Sequence, residues 1–143
     1  MKNNEKKSSI CNCLNLRRAA STITKIYDEK LSPSGLTVSQ YSILKHLKFF
    51  GPISVSDLAI KIRLDRTTLV RSFKPLEAAS LIIDVSQKGT RNRQLQLTQK
   101  GIEKYIEAEY LWNDAQNFIE QELGKENIEK LTSLLSVIER LGS

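Results

Sequence analysis

The sequence predicts a mainly α-helical protein with one small β-hairpin, and three observations support this. Apolar residues recur at intervals of three and four over most of the 143-residue chain, which is typical of amphipathic helices. Only between Leu81 and Leu97 does the pattern change to β-branched and strictly alternating residues. Residues 63–100 carry eight basic and three acidic side chains, so they hold most of the net charge of +6.

The first two helices are bounded by residues that start or stop a helix. The apolar spacing of the first helix runs to about Leu31, and the Ser-Pro-Ser-Gly of residues 32–35 then breaks it. The second helix begins at Thr37, because Thr-Val-Ser-Gln is a capping box whose hydroxyl and amide groups satisfy free backbone N–H groups. This helix ends before Gly51.

Two further helices follow in the order of a helix-turn-helix. Ser54 is placed to cap a short helix over residues 55–62, and Asp65 is placed to cap a fourth helix that extends through Leu76 or beyond. Pro75 has no N–H to donate and should kink this fourth helix without ending it. The fourth helix carries basic and hydroxyl side chains beside an apolar face.

Residues 81–86 and 94–97 predict two strands that are joined by a polar, basic tip. Thr98 then caps a long helix that ends at Gly124, and a last amphipathic helix follows. The order predicts a winged helix-turn-helix over residues 36–98, in which the hairpin is the wing. An N-terminal dimerisation helix is expected within residues 1–35, and C-terminal dimerisation helices within residues 99–143.

This arrangement is suited to double-stranded DNA. A helix fits the major groove, where Arg and Thr side chains meet base edges, and a hairpin tip can place a guanidinium in the minor groove. A helix start can hold phosphate through its backbone amides. The predicted DNA contacts are Ser54, Ser56, Arg66, Thr67, Thr68, Arg71, Lys88, Arg91 and Arg93. The alternative is a winged helix that binds a partner protein without reading a DNA sequence.

The two ends of the chain predict a homodimer. Their apolar stripes at helical spacing lie outside the compact winged-helix unit, so a monomer would leave them poorly covered. Burial between two copies related by two-fold symmetry removes this surface from water.

Several motifs resemble the MarR family of winged-helix regulators. They are Leu58-Ala59, the run Leu-Asp-Arg-Thr-Thr-Leu-Val-Arg of residues 64–71, Pro75-Leu76-Glu77, Leu81-Ile82 and the Leu-Thr-Gln-Lys-Gly of residues 97–101. The resemblance extends from Leu14 to the last helix. It implies a homodimer whose first, fifth and sixth helices interlock, and a repressor that reads a pseudo-palindromic operator. Gly89 stands where the family often has an Asp that orients the wing arginine, so Arg91 is expected to be less constrained.

Two kinds of signal are consistent with this resemblance. Cys13 precedes Tyr27 by fourteen residues, a spacing that resembles the peroxide-sensing branch of the family, so Cys13 is the first candidate for a reactive thiol and Cys11 the second. Positions two apart on a helix point about 200° from one another, so a disulfide between these cysteines within one chain is not expected. The rival signal is a small aromatic or anionic ligand in a cleft lined by Arg17, Tyr27, His46 and Trp112.

The remaining composition excludes other classes. One histidine and two cysteines supply no metal site or disulfide framework, and no cofactor is expected. The chain has no phosphate-binding loop or nucleophile elbow, so we do not expect an enzyme. No signal peptide or membrane-spanning run is seen, which predicts a cytoplasmic protein.

Overall fold

A computed structural model describes residues 6–142, which form six α-helices, one 3-10 turn and a three-stranded sheet. The elements are α1 (Asn12–Leu31), the 3-10 turn (Ser32–Ser34), α2 (Val38–Phe50), β1 (Ile53–Ser54), α3 (Val55–Ile62), α4 (Arg66–Ala78), β2 (Ile82–Asp84), β3 (Gln94–Leu97), α5 (Gln99–Leu123) and α6 (Lys125–Arg140). The predicted mainly helical fold with a hairpin wing is confirmed.

The predicted helix starts are confirmed by their capping hydrogen bonds. The Thr37 hydroxyl accepts a hydrogen bond from the Gln40 N–H, and the Gln40 side chain accepts one from the Thr37 N–H, which completes the capping box. The hydroxyl of Ser54 caps α3, and that of Thr98 caps α5 by accepting from the Gly101 N–H at 2.9 Å. Gly124 ends α5 as predicted.

Helix α4 continues through Pro75, as the sequence predicts. Its buried face consists of Leu69, Phe73 and Leu76, which lie in the hydrophobic core. Because Pro75 costs the helix one hydrogen bond while this face is buried on both sides of it, packing keeps the segment helical. The predicted kink stays a prediction.

The sheet contains a strand that the sequence did not predict. Besides the antiparallel pair of β2 and β3, the short strand β1 joins β3, so the order is β1-β3-β2. Ile53 pairs with Leu95, and Ser54 pairs with Gln94. Two residues are too few to show an alternating pattern. This pairing places the start of α3 beside the base of the wing.

The core is built from all three predicted ranges of the chain. Within the winged-helix range it includes Leu58 and Phe73, but Leu31 at the end of α1 also belongs to it, as do Tyr105 and Ala108 of α5. The winged-helix unit therefore shares one hydrophobic core with the ends of its neighbouring helices.

The two ends of the described chain leave large apolar side chains exposed. No residue of α6 is buried. The exposed apolar side chains there and around the start of α1 are Ile10, Leu14, Leu16, Leu131, Leu134, Leu135, Val137, Ile138 and Leu141. None of the helices within residues 6–142 combines the length and hydropathy that a membrane span requires.

Candidate DNA-binding surface

The starts of α3 and α4 meet the wing at one polar cleft. This cleft has a volume of about 370 Å³ and is lined by Ser54, Val55, Ser56, Asp57, Arg66, Arg91, Asn92 and Arg93. Three guanidinium side chains thus line the cleft together with one carboxylate. Most of the predicted DNA contacts are brought together here, and the β1–β3 pairing is the reason that the start of α3 and the wing are adjacent.

The first turn of α4 is fixed by Asp65. One oxygen of its carboxylate accepts a hydrogen bond from the Thr68 N–H at 2.9 Å, and the other accepts one from the Thr68 hydroxyl at 2.6 Å. These hydrogen bonds from Thr68 lower the pKa of Asp65, and Arg71 lowers it further. Arg66 donates to the Ser56 hydroxyl at 3.1 Å, which connects α4 to the start of α3.

The outer face of α4 is separate from its core face. Arg66, Thr67, Thr68 and Arg71 are all exposed, while Leu69 is buried on the opposite side of the same turns. The Thr68 hydroxyl is used as a donor to Asp65, so it remains available to a further group only as an acceptor.

A tight turn carries the tip of the wing. Thr90 donates both its N–H and its hydroxyl to the Gln87 carbonyl, at 3.1 and 2.6 Å. Gly89 has a φ of +92°, a conformation that side chains rarely adopt, which explains a glycine at this position. Lys88 and Arg91 are exposed, and Arg91 lines both the cleft and a second cavity formed by residues of the wing.

Arg93 has a different environment from the other predicted DNA contacts. Its guanidinium forms ion pairs with Glu77 of α4 and, at 3.4 Å, with Asp84 of β2. The Glu77 carboxylate accepts its hydrogen bond and raises the pKa of Arg93. Hydrogen bonds from Ser86 and Gln94, together with Arg93, lower the pKa of Asp84 to about 2. Glu77 and Asp84 are two of the three acidic residues within the basic stretch 63–100, and they could have indicated from the sequence that an arginine there is paired with carboxylates.

The two cysteines lie at the start of α1. Cys11 is the N-cap residue, and its sulfur accepts a hydrogen bond from the Leu14 N–H at 3.4 Å. Cys13 is exposed, and both cysteines are free thiols. Cys13 lines a cavity of about 740 Å³ with Arg17 and with Ile138 and Leu141 from the end of the chain.

The four predicted ligand-binding side chains each have their own contacts. Arg17 lies beside Cys13. The Tyr27 hydroxyl donates to the Gln116 side chain at 2.5 Å, and burial followed by the charge of Glu120 raises the pKa of Tyr27. The His46 Nδ1 forms a hydrogen bond with the Ser42 carbonyl at 2.7 Å. Trp112 stacks on Tyr41, and the Lys45 ammonium lies above its ring.

A helix-turn-helix whose second helix exposes arginine and threonine next to a basic wing defines the winged-helix class of DNA-binding proteins. Residues 36–87 match the model of the MarR family. This matched segment is 52 of the 143 residues and spans α2, α3, α4 and β2, so the DNA-binding unit is similar to the MarR family of transcriptional regulators. The proteins to which the chain is similar are transcriptional regulators, and this similarity supports the expectation that the chain is not an enzyme.

Individual proteins extend this similarity beyond the matched segment. The chain is 28% identical over 92 residues to YwoH of Bacillus subtilis (strain 168), an HTH-type transcriptional regulator, covering 64% of this chain and 67% of YwoH. It is 29% identical to the M. tuberculosis transcriptional regulator MosR in complex with DNA, covering 92% and 97% of the two chains with a TM-score of 0.78. The transcriptional repressor CouR, bound to a 23-mer DNA duplex, shares the fold at 24% identity and a TM-score of 0.79, over 90% and 92% of the chains.

Proposed function

We propose that the chain is a cytoplasmic, homodimeric repressor that binds a pseudo-palindromic operator and is released when Cys13 is oxidised. The observation that carries the DNA-binding part is the cleft where Arg66 and Arg91 lie beside Ser54 and Ser56. There α3, α4 and the wing present cations and hydroxyl groups to one side of the molecule, as a phosphate backbone requires.

In this proposal the contacts divide into two kinds. Arg66, Thr67, Thr68 and Arg71 on the exposed side of α4 enter the major groove. The groups that contact phosphate or enter the minor groove are Ser54 and Ser56 at the start of α3, and Lys88 and Arg91 at the wing tip. The DNA complex of the related MosR supports this use of the fold.

The exposed apolar ends of the chain support the homodimer. A contiguous apolar patch on a monomer marks an interface, and the exposed leucines of α6 lie close to the start of α1 through Leu16, Ile138 and Leu141. Two-fold pairing would cover the ends of both copies together. It would also set two copies of α4 at the spacing of two successive major grooves.

Arg71 provides the test of sequence reading. Arg71→Ala should relax the preference for one base in each half-site and cost about 1 to 3 kcal/mol of discrimination there, because it removes a bidentate interaction with a base edge. The measurement is in vitro selection of duplexes from a random library with the wild-type protein, followed by binding of single-base variants. Arg91→Gln is the matched control, since the loss of a wing cation should weaken binding to all duplexes alike. Equal weakening of every sequence by Arg71→Ala would refute base reading.

The alternative function is a winged helix that binds a partner protein. Steep salt dependence separates the two, because the logarithm of DNA affinity falls with the logarithm of salt concentration by about 0.9 for each phosphate neutralised. A mostly apolar protein interface lacks this dependence. Selection that enriches no sequence, with binding insensitive to salt, would favour the alternative.

The surroundings of Cys13 support the thiol signal. Cys13 is exposed, and Arg17 lines the same cavity. The thiolate attacks one oxygen of hydrogen peroxide, the O–O bond breaks, and sulfenic acid forms while hydroxide leaves and takes up a proton as water. The added oxygen makes this side of the cavity bulkier and more polar.

The last turn of α6 offers a route from Cys13 to the DNA-binding residues. Ile138 and Leu141 line the cavity of Cys13, and Glu139 between them pairs with Arg63 at 3.1 Å. Arg63 ends α3 in a left-handed conformation, two residues before the Asp65 cap of α4. A displacement of α6 by the modified thiol would therefore act on the turn of the helix-turn-helix.

Cys13→Ser tests this signal. The variant should stay on the selected duplex under mild hydrogen peroxide while the wild-type protein dissociates, because serine forms no sulfenic acid. Cys11→Ser is the matched control and should dissociate like the wild type. Mass spectrometry of both proteins locates the added oxygen. If Cys13→Ser and the wild type release the duplex equally, the thiol signal is wrong.

A small-molecule effector is the second candidate for the signal. CouR, which shares this fold, has been solved in complex with p-coumaroyl-CoA. In this chain the stacked Tyr41 and Trp112, with the Lys45 ammonium 4.9 Å from the indole ring, provide aromatic and cationic groups between α2 and α5. Release by an anionic aromatic compound, with no response to peroxide, would favour this signal.

A further inference from the structure

The side chain of Arg93 connects three elements of the DNA-binding unit. Arg93 directly precedes β3, its partner Glu77 lies in the last turn of α4, and its partner Asp84 ends β2. Asp84 also accepts hydrogen bonds from the Ser86 and Gln94 N–H groups at 2.9 and 3.1 Å. One guanidinium therefore joins the base of the wing to the helix that the proposed function places in the major groove.

The charges of this cluster argue against Arg93 as an additional cation for phosphate. The guanidinium faces two carboxylates, so the cluster of three side chains has a net charge of −1. A guanidinium that leaves them for a phosphate would expose Glu77 and Asp84 to each other and to the DNA backbone. The three side chains are only about one third exposed, with values of 37%, 37% and 32%, so their attraction is screened less than at an open surface.

The wing needs such a connection because little else holds its tip. Residues 86–93 extend beyond the last hydrogen bond between the two strands, which the Val85 N–H donates to the Gln94 carbonyl at 2.8 Å, and Lys88, Gly89 and Arg91 there are exposed. The position of the tip relative to α4 is therefore set at its base. A base that can rotate would spread Lys88 and Arg91 over many positions, and ordering them on DNA would then cost conformational entropy.

We propose that Arg93 is a positioning residue that holds the wing against the last turn of α4 and does not itself contact DNA. It acts through Lys88 and Arg91, which it keeps in register with the α4 residues of the same chain. This role replaces the direct DNA contact that the sequence predicted for Arg93. The inference rests on the proposed DNA-binding function.

The experiment compares Arg93→Gln with Arg91→Gln on the duplex that the wild-type protein selects from a random library. Affinity is measured over a series of salt concentrations, and thermal melting of each free protein is recorded. Arg93→Gln should bind roughly five-fold more weakly because the ion-pair network is broken. Its salt slope should equal that of the wild type, since no phosphate contact is removed.

Arg91→Gln is the matched control two positions away in the wing. It should lower the salt slope by about 0.9 for each phosphate that is no longer neutralised, or by about 1.8 for a dimer with two wings. Arg93→Lys should recover part of the affinity, because an ammonium can pair with one carboxylate but lacks the planar geometry that holds both. Thermal melting of Arg93→Gln should fall only slightly, as for the loss of surface ion pairs, and by much less than its DNA affinity, which separates positioning from general stabilisation.

Three results would overturn the proposal. A fall in the salt slope of Arg93→Gln equal to that of Arg91→Gln would show a direct phosphate contact. Unchanged affinity and slope would show that the network does not position the wing. A melting temperature that falls as strongly as the DNA affinity would show that Arg93 only stabilises the fold. Failure of the proposed function is distinct, because the wild-type protein itself would then select no duplex.

Discussion

Leu134→Asp should convert the proposed homodimer into folded monomers. Leu134 is 62% exposed on the apolar face of α6, so the substitution removes little from the core of a single chain. In a symmetric dimer it would bury an unpaired carboxylate twice, and we expect the dissociation constant of the dimer to rise at least about 100-fold. Light scattering after size-exclusion chromatography measures the mass, and circular dichroism verifies that the helices remain.

The loss of the dimer should also weaken DNA binding. Each winged helix would then bind its half-site without the effective concentration that the second half-site provides. Ser136→Asp is the matched control, since it lies two positions further along α6 and about 200° around the helix, and it should stay dimeric. A dimeric Leu134→Asp protein would show that α6 does not form the interface.

Gly101→Ala should lower the free energy of unfolding by about 3 kcal/mol, because the added methyl group overpacks the start of α5. A Cβ at Gly101 would lie 2.0 Å from the Leu81 carbonyl oxygen. That oxygen is rigid, since it accepts hydrogen bonds from both the N–H and the hydroxyl of Thr98. The close approach explains physically why the Leu-Thr-x-x-Gly motif ends in glycine.

Urea unfolding measures this effect, at one protein concentration because the proposed dimerisation would contribute to the apparent stability. Gly142→Ala is the control. A Cβ there meets the Glu139 carbonyl oxygen only at 3.6 Å, and the change should be within about 0.5 kcal/mol. Unchanged unfolding of Gly101→Ala would mean that α5 does not approach Leu81 so closely.

Four helix boundaries were predictable in particular because each depends on residues within four positions of it. Thr37, Ser54 and Thr98 cap the helices that they were predicted to cap, and Gly124 ends α5. The fold class and the basic side chains of the candidate DNA-binding surface followed from the same local patterns. The sequence by itself therefore determined which segments are helices or wing and which side chains they carry.

Tertiary structure decided the features that join distant parts of the chain. The pairing of Ser54 with Gln94 creates the third strand and the cleft, and Arg93 is paired across sixteen positions with Glu77. Tyr105 of α5 belongs to the core of the winged-helix unit, although local patterns place that unit within residues 36–98. Charge and spacing predict that an arginine is available, but only the packing of separate elements determines whether it faces phosphate or a carboxylate.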